Sequence, residues 1–301
     1  MRRARGNLAA VGILAAGLVT PVLGAYFSMP PLVSTPRMLV ARPGQLAITP
    51  SGDRVAATDR LNNSITVVNT SGDLLWSVGD GVALIQPTAA VFISDKELVF
   101  SQWESRVLCR VTEDNPKFID TVIDLTVALG NKAHIVRLYR LRDQTFLALT
   151  ENPDKLVRFD ARWKQTGVLI EGGSGKGRLG HGTSCAEMAS GKLVVTGNTL
   201  YPVQFFDPKG KLLLTADWNN PAPAVGWLAA AVAVDLRDFV WVADASKSQC
   251  RLYDQTGTML REMSFDSPAF VPADMIVTSD NRLFVVGVNG WLEIHDLSQE
   301  R

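Results

Sequence analysis

Six short apolar runs in this chain end on, or just before, a side chain that carries a carboxylate or an amide. RVAATD ends at Asp59, ELVFSQ at Gln102 with Trp103 next, and FLALTE at Glu151. KLVVTGN ends at Asn198, FVWVAD at Asp244, and RLFVVGV runs into Asn289. Such oxygens brought together suit a hard cation such as calcium, which takes about six to eight of them. Glu151, Asn198 and Asp244 belong to consecutive runs and form the candidate metal set. The competing reading is that Asp and Asn at these points hold turns through side-chain to backbone hydrogen bonds.

Other chemistry is sparse. The GGSGKG segment is not a phosphate-binding loop, because Gly177 follows Lys176 and Ile170 stands where the first glycine is required. It reads as a flexible linker. No G-x-S-x-G occurs, and Ser184 near His181 has no visible base and orienter. Cys109, Cys185 and Cys250 each sit in an apolar run, are odd in number and form no C-x-x-C, so they read as small buried hydrophobes.

The elements that must position these residues repeat. From about residue 42 the chain shows short runs rich in Val, Leu, Phe and Thr, separated by turn residues, which is an all-β pattern. An apolar or aromatic residue followed by Asp or Asn, with Gly three positions on, appears at Val68-Asn69, Phe206-Asp207 and Tyr253-Asp254. Weaker copies are Phe159-Asp160 and His295-Asp296. Successive markers from Asp160 lie 47, 47 and 42 residues apart, and the 91 residues between Asn69 and Asp160 hold two units. The missing marker falls at Glu113-Asp114. Each unit contains four strand-like runs except the sixth, which stops after its third. Residues 37–41, just before the first unit, read as the absent fourth strand. Six four-stranded units closed by an N-terminal strand make a six-bladed β-propeller, and closure removes an exposed sheet edge.

Strand order then sorts the loops into two faces. Turns between first and second strands, and between third and fourth, are short. Loops between second and third strands, and between blades, are long and varied, and varied loops on a rigid scaffold more often carry function. The binding face is therefore expected there, with Asp59, Trp103, Trp218, Trp227 and Asn289, its aromatics suited to stacking on sugars or gripping a peptide. Trp76, Trp163, Trp241 and Trp291 read as packing residues.

Residues 55–75 (VAATDRLNNSITVVNTSGDLL) and 240–260 (VWVADASKSQCRLYDQTGTML) run as apolar strand, Asp, polar loop, apolar strand, marker and Gly. This pattern resembles the blades of NHL-repeat and TolB-like six-bladed propellers, and GGSGKGRLGHG looks like their glycine-rich inter-blade loop. The resemblance covers residues 37–301 in outline. It implies the fold but not one chemistry, since such propellers include binding scaffolds, lactonases, strictosidine-synthase-like proteins and amidating lyases. The gluconolactonase relatives imply calcium on Glu151, Asn198 and Asp244, polarising a carbonyl oxygen of a lactone or ester. Their pattern expects a Glu at the start of the first blade, where this sequence has Gln45. The amidating lyases imply zinc on three histidines; His134 and His181 could face the channel, but His295 lies away from it, and two ligands make a poor zinc site.

Composition bounds the rest. The 301 residues carry 30 Lys and Arg against 30 Asp and Glu, with 47% hydrophobic and 20% charged residues. Such a chain is globular, and its neutrality gives no nucleic-acid footprint. The neutrality is uneven. Arg2, Arg3 and Arg5 precede an apolar stretch over residues 8–27, and without the first 24 residues the body carries 27 basic against 30 acidic groups. Residues 1–27 read as a signal peptide or signal anchor, 28–36 as a linker and 37–301 as the propeller. The body would face the periplasm or the exterior, tethered to the inner membrane by residues 8–27 if the segment is uncut. The expected function is a scaffold binding a protein, a small molecule or a carbohydrate on the loop-rich face. The alternative is a calcium-dependent lactonase or esterase-type hydrolase.

Overall fold

In a computed structural model the chain divides into Met1–Pro31 and Leu32–Arg301. The structure describes residues 37–79, 83–198, 200–216, 229–265 and 269–299. The expected signal or anchor, Trp218 and Trp227 lie outside the described residues. Among those described, no helix is long and apolar enough to cross a membrane.

The described residues form six four-stranded antiparallel sheets, the blades of the expected propeller. The innermost strands are Pro43–Ile48, Pro87–Ser94, His134–Arg140, Gly182–Glu187, Ala229–Val234 and Pro272–Val277. Outside them lie the second strands, Arg54–Asp59, Glu97–Gln102, Phe146–Glu151, Leu193–Gly197, Val240–Asp244 and Arg282–Gly287. The second strands are buried on both faces, as in the fully buried Val240–Asp244, so their sequences read as continuous apolar runs. Outer strands alternate instead: Met259–Ser264 has every second residue exposed, because only one face packs on a neighbour. Six buried apolar clusters fill the joints between blades, including one between blades six and one built from Leu46, Val55, Phe284 and Val286. The ring is therefore closed.

Closure follows the expected route. Arg37–Met38 pairs antiparallel with Trp291–Asp296, with Arg37 opposite Leu292 and Met38 opposite Trp291. Leu39 N–H then donates to the Gly290 carbonyl at 2.9 Å. Gly290 sits at φ +81°, and a Cβ there would lie 1.5 Å from the Val40 carbonyl oxygen, so only glycine lets the closing strand approach. Trp291 is partly exposed beside this strand, unlike the buried Trp76, Trp163 and Trp241.

The marker residues have a structural cause. Asp254 Oδ1 accepts the backbone N–H groups of Thr256 and Thr258, both near 2.9 Å, and Asp207 holds Lys209 and Lys211 the same way. The glycine three positions on takes a left-handed φ. In the second blade Thr112 pairs directly with Asn115, so the connection is only two residues and has no room for the marker. Residues 172–182, expected as a flexible linker, are instead pinned. Gly177 N–H donates to Gln204 Oε1 at 2.7 Å, and Gln204 Nε2 donates to the Arg178 carbonyl at 2.9 Å.

Candidate functional site at the channel mouth

The six inner strands each carry a register irregularity near their start, at Pro43/Leu46, Pro87/Ala89, Ile135/Arg137, Gly182/Ser184, Ala229/Ala231 and Pro272/Asp274. A bulge leaves a residue out of the ladder and re-aims it. The residues left out include Gly44, Thr88, Val136, Thr183, Ala230 and Ala273, and these line a cavity of about 430 Å³ on the long-loop face. Arg137 of the third inner strand lines it as well, and Arg60, Trp103, Glu151, Ala245 and Val288 complete it from the second-strand side. This is the face the sequence favoured.

A second cavity, about 540 Å³, opens on the short-turn face. The boundary between the two falls at Gly44|Gln45, Arg137|Leu138, Thr183|Ser184 and Ala273|Asp274. Polar side chains tie the strands together at this level. The buried Gln45 amide accepts the N–H groups of Ala90 at 3.1 Å and Leu138 at 2.9 Å, and donates to the Leu138 carbonyl at 2.6 Å. Asp274 accepts Leu46 N–H at 2.7 Å, and the Tyr139 hydroxyl accepts Cys185 N–H at 2.9 Å. Burial pushes the Asp274 carboxyl above its ordinary range, against Arg137 and the N–H groups of Leu46 and Met275. Gln45 is thus a strut across three blades, with both ends of its amide in use.

The larger cavity offers no unmet chemistry: no buried polar atom without a hydrogen-bond partner belongs to a described residue lining it. The long-loop mouth differs. Arg60 Nε and Arg137 Nε are both buried there without partners, and so is Nδ1 of the neighbouring His134. The Arg60 guanidinium carbon sits 4.0 Å over the Trp103 ring, whose other neighbour is His134 with ring centroids 6.2 Å apart. Cation–ring contact holds such a guanidinium in place without neutralising it. Arg137 donates to the backbone carbonyls of Gly44, Val136 and Ala273. Burial pushes the Arg60 pKa down, Arg42 and Arg137 push the same way, and Glu151 alone opposes them. Among the described residues the mouth is net cationic, with Glu151 its one carboxylate.

The candidate metal set divides. Glu151 lines the mouth, whereas Asn198 and Asp244 do not. Asn198 is exposed in its loop. Asp244 is fully buried; its Oδ1 accepts Ser246 N–H at 3.0 Å and Ser246 Oγ–H at 2.6 Å, and Oδ2 faces Arg251 at 3.9 Å. Among the described residues no group of three or more His, Cys, Asp and Glu side chains is placed to hold a metal ion. Two guanidinium groups beside one carboxylate do not fit the oxygen cage calcium requires.

The remaining site candidates hold loops. Asp59 accepts the N–H groups of Ala41, Arg42, Leu61 and Asn62 and the Asn62 amide. Gln102 Oε1 accepts Ile85 N–H, and Asn289 Oδ1 accepts Trp291 N–H at 3.3 Å. Trp103 is the one described aromatic of the expected set at the mouth. His295 is buried with its Nε2 3.2 Å from Glu293, and His181 is exposed. The three cysteines are buried, as expected. Arg60 and Arg137 carried no sequence signal beyond standing one residue past a strand end and inside an inner strand.

No protein-family model and no curated protein matches the sequence. Solved structures do match by fold. The calcium-binding protein regucalcin from Agrobacterium tumefaciens superposes with a TM-score of 0.65 at 12% identity, over 88% of this chain and 94% of that one. A gluconolactonase from Xanthomonas campestris gives 0.61 at 13%, over 86% and 87%. The virginiamycin B lyase of Staphylococcus aureus gives 0.58 at 13%, over 89% and 90%. The chain shares the six-bladed propeller fold of these proteins.

Proposed function

We propose that this chain is an exported propeller whose channel mouth binds a small anionic ligand. The observation that carries this reading is the Arg60 guanidinium, buried at Nε, stacked on Trp103 beside Arg137, and forming no ion pair among the described residues. A buried donor without a partner is costly unless a ligand meets it. An anion entering the mouth would satisfy Arg60 and neutralise a local cationic excess. Trp218, Trp227 and Asn289 remain proposed contributors to the same loop-rich face, and residues 8–27 the proposed export or anchoring segment.

The second reading is a calcium-dependent lactonase or esterase-type hydrolase. The likeness to a gluconolactonase and to calcium-binding regucalcin supports it over a protein-binding scaffold. The donor set at the mouth speaks against the metal, so no step is routed through one. Purified full chain, assayed for hydrolysis of gluconolactone with and without calcium, separates the readings. The binding reading expects saturable uptake of acetate that weakens with salt and no calcium-dependent turnover. Turnover that calcium restores after chelation would overturn it. For location, a C-terminally tagged chain retained in membranes after a salt wash marks an anchor, and release into the soluble exported fraction marks cleavage.

A further inference from the structure

The loops around Arg60 expose four large apolar side chains. Leu61, the next residue, is 65% exposed; Ile85 is 65% exposed; Val288 is 52% exposed and Trp103 39%. They come from loops of blades six, one and two. Val288 and Trp103 both line the mouth, as does Arg60. Ile85 is fixed beside Trp103, since its N–H donates to Gln102 and Trp103 N–H donates to the Gln86 carbonyl at 2.9 Å. Gln86 N–H in turn donates to Asn63 Oδ1 at 2.8 Å, joining that segment to the loop bearing Leu61. Large exposed apolar side chains near a cation that has no ion pair among the described residues mark a two-part site.

We infer that the ligand is a monoanionic amphiphile: a carboxylate that meets Arg60, carrying an aliphatic or aromatic tail that lies on Leu61, Ile85, Trp103 and Val288. A carboxylate matches the planar fork of a guanidinium. A single negative charge fits better than a phosphate dianion, because Arg137 is engaged by three backbone carbonyls and Glu151 shares the cavity. Trp103 serves both parts, holding Arg60 on one face and offering apolar surface to the tail. This inference rests on the anion-binding reading above and adds the tail.

The test is a calorimetric titration of the full chain in lipid nanodiscs, without free detergent. The probes are acetate, butanoate, hexanoate, octanoate, octan-1-ol and hexyl phosphate. The expected result is affinity that rises two- to fourfold per added methylene, since each buried CH₂ contributes about that factor. Octan-1-ol binds at least tenfold more weakly than octanoate, and hexyl phosphate binds more weakly than hexanoate. Arg60→Gln weakens octanoate at least tenfold, while Arg60→Lys, which keeps the charge, loses less. Leu61→Asp flattens the chain-length dependence. If acetate and octanoate bind equally and Arg60→Gln weakens both, the anion site stands and the amphiphile is refuted. If no carboxylate binds, the anion-binding reading falls with it. Octan-1-ol binding as tightly as octanoate would also overturn the inference.

Discussion

The residue that ties most of the channel wall together is Gln45. Its amide accepts from two backbone N–H groups and donates to a backbone carbonyl across the channel, a pattern that a carboxylate cannot complete while ionised. Gln45→Glu should therefore cost about 2–3 kcal/mol at pH 7 in denaturant unfolding, and the loss should shrink in acid, where the protonated acid can again donate to Leu138. The two kinds of buried or capping carboxylate already present should respond to pH with opposite signs. Burial raises the Asp274 pKa, so its favourable contribution exists below the unfolded carboxylate pKa and is lost as pH rises through the folded value. Relative to wild type, Asp274→Asn should gain stability between pH 3 and pH 7. At Asp254, burial works against ionisation, but hydrogen bonds from Thr256 and Thr258 prevail and hold the pKa low. Its contribution is present above the unfolded carboxylate pKa and lost as pH falls through the folded one. Asp254→Ala should cost about 1 kcal/mol at neutral pH and less near pH 3, as read from unfolding midpoints at both values.

At the scale of strands and turns, the marker at Phe159-Asp160 shows what a turn can tolerate. Trp163 occupies the left-handed position that Gly72, Gly210 and Gly257 take in three other copies, at φ +63°. Its ring stacks on Phe146, with centroids 4.3 Å apart and planes within 13°, so packing offsets the backbone preference. Trp163→Gly relieves the backbone yet should lower stability by about 3 kcal/mol, measurable by chemical denaturation; a stabilising outcome would reverse this account. The same scale explains what could be read in the sequence. Apolar second strands, tight-turn residues and marker spacing all arise from local structure, so blade number and the closing strand were legible. Trp103 was legible too, but the rest of the site was not, because each inner strand carries a bulge, and one extra residue exchanges the side chains that face the channel. In blades one and five the mouth residue is the one after the expected strand end: Arg60 after Asp59 and Ala245 after Asp244. Glu151, at the end of its own strand, was legible. No periodicity distinguishes Arg60 from an ordinary solvated arginine.

For the whole molecule, the ring is closed by two strand residues and one glycine, at the joint between blades six and one. Gly290→Ala would drive a Cβ into the Val40 carbonyl and should release the closing strand. Amide exchange over residues 291–296 should then rise well above that of blade three; uniform exchange across all blades would show that closure does not depend on this contact. The ring also sets the electrostatics of its mouth, bringing Arg60, Arg137 and Glu151 from three strands to one cavity within an otherwise slightly acidic body. The measurement that bears most directly on the anion-binding account is a pair of calorimetric titrations, acetate and calcium, on wild type and Glu151→Gln. A cationic mouth predicts that removing the one carboxylate tightens acetate binding roughly three- to tenfold, with no calcium uptake in either protein. Calcium binding by the wild type that Glu151→Gln abolishes, with acetate binding absent or unchanged, would contradict it.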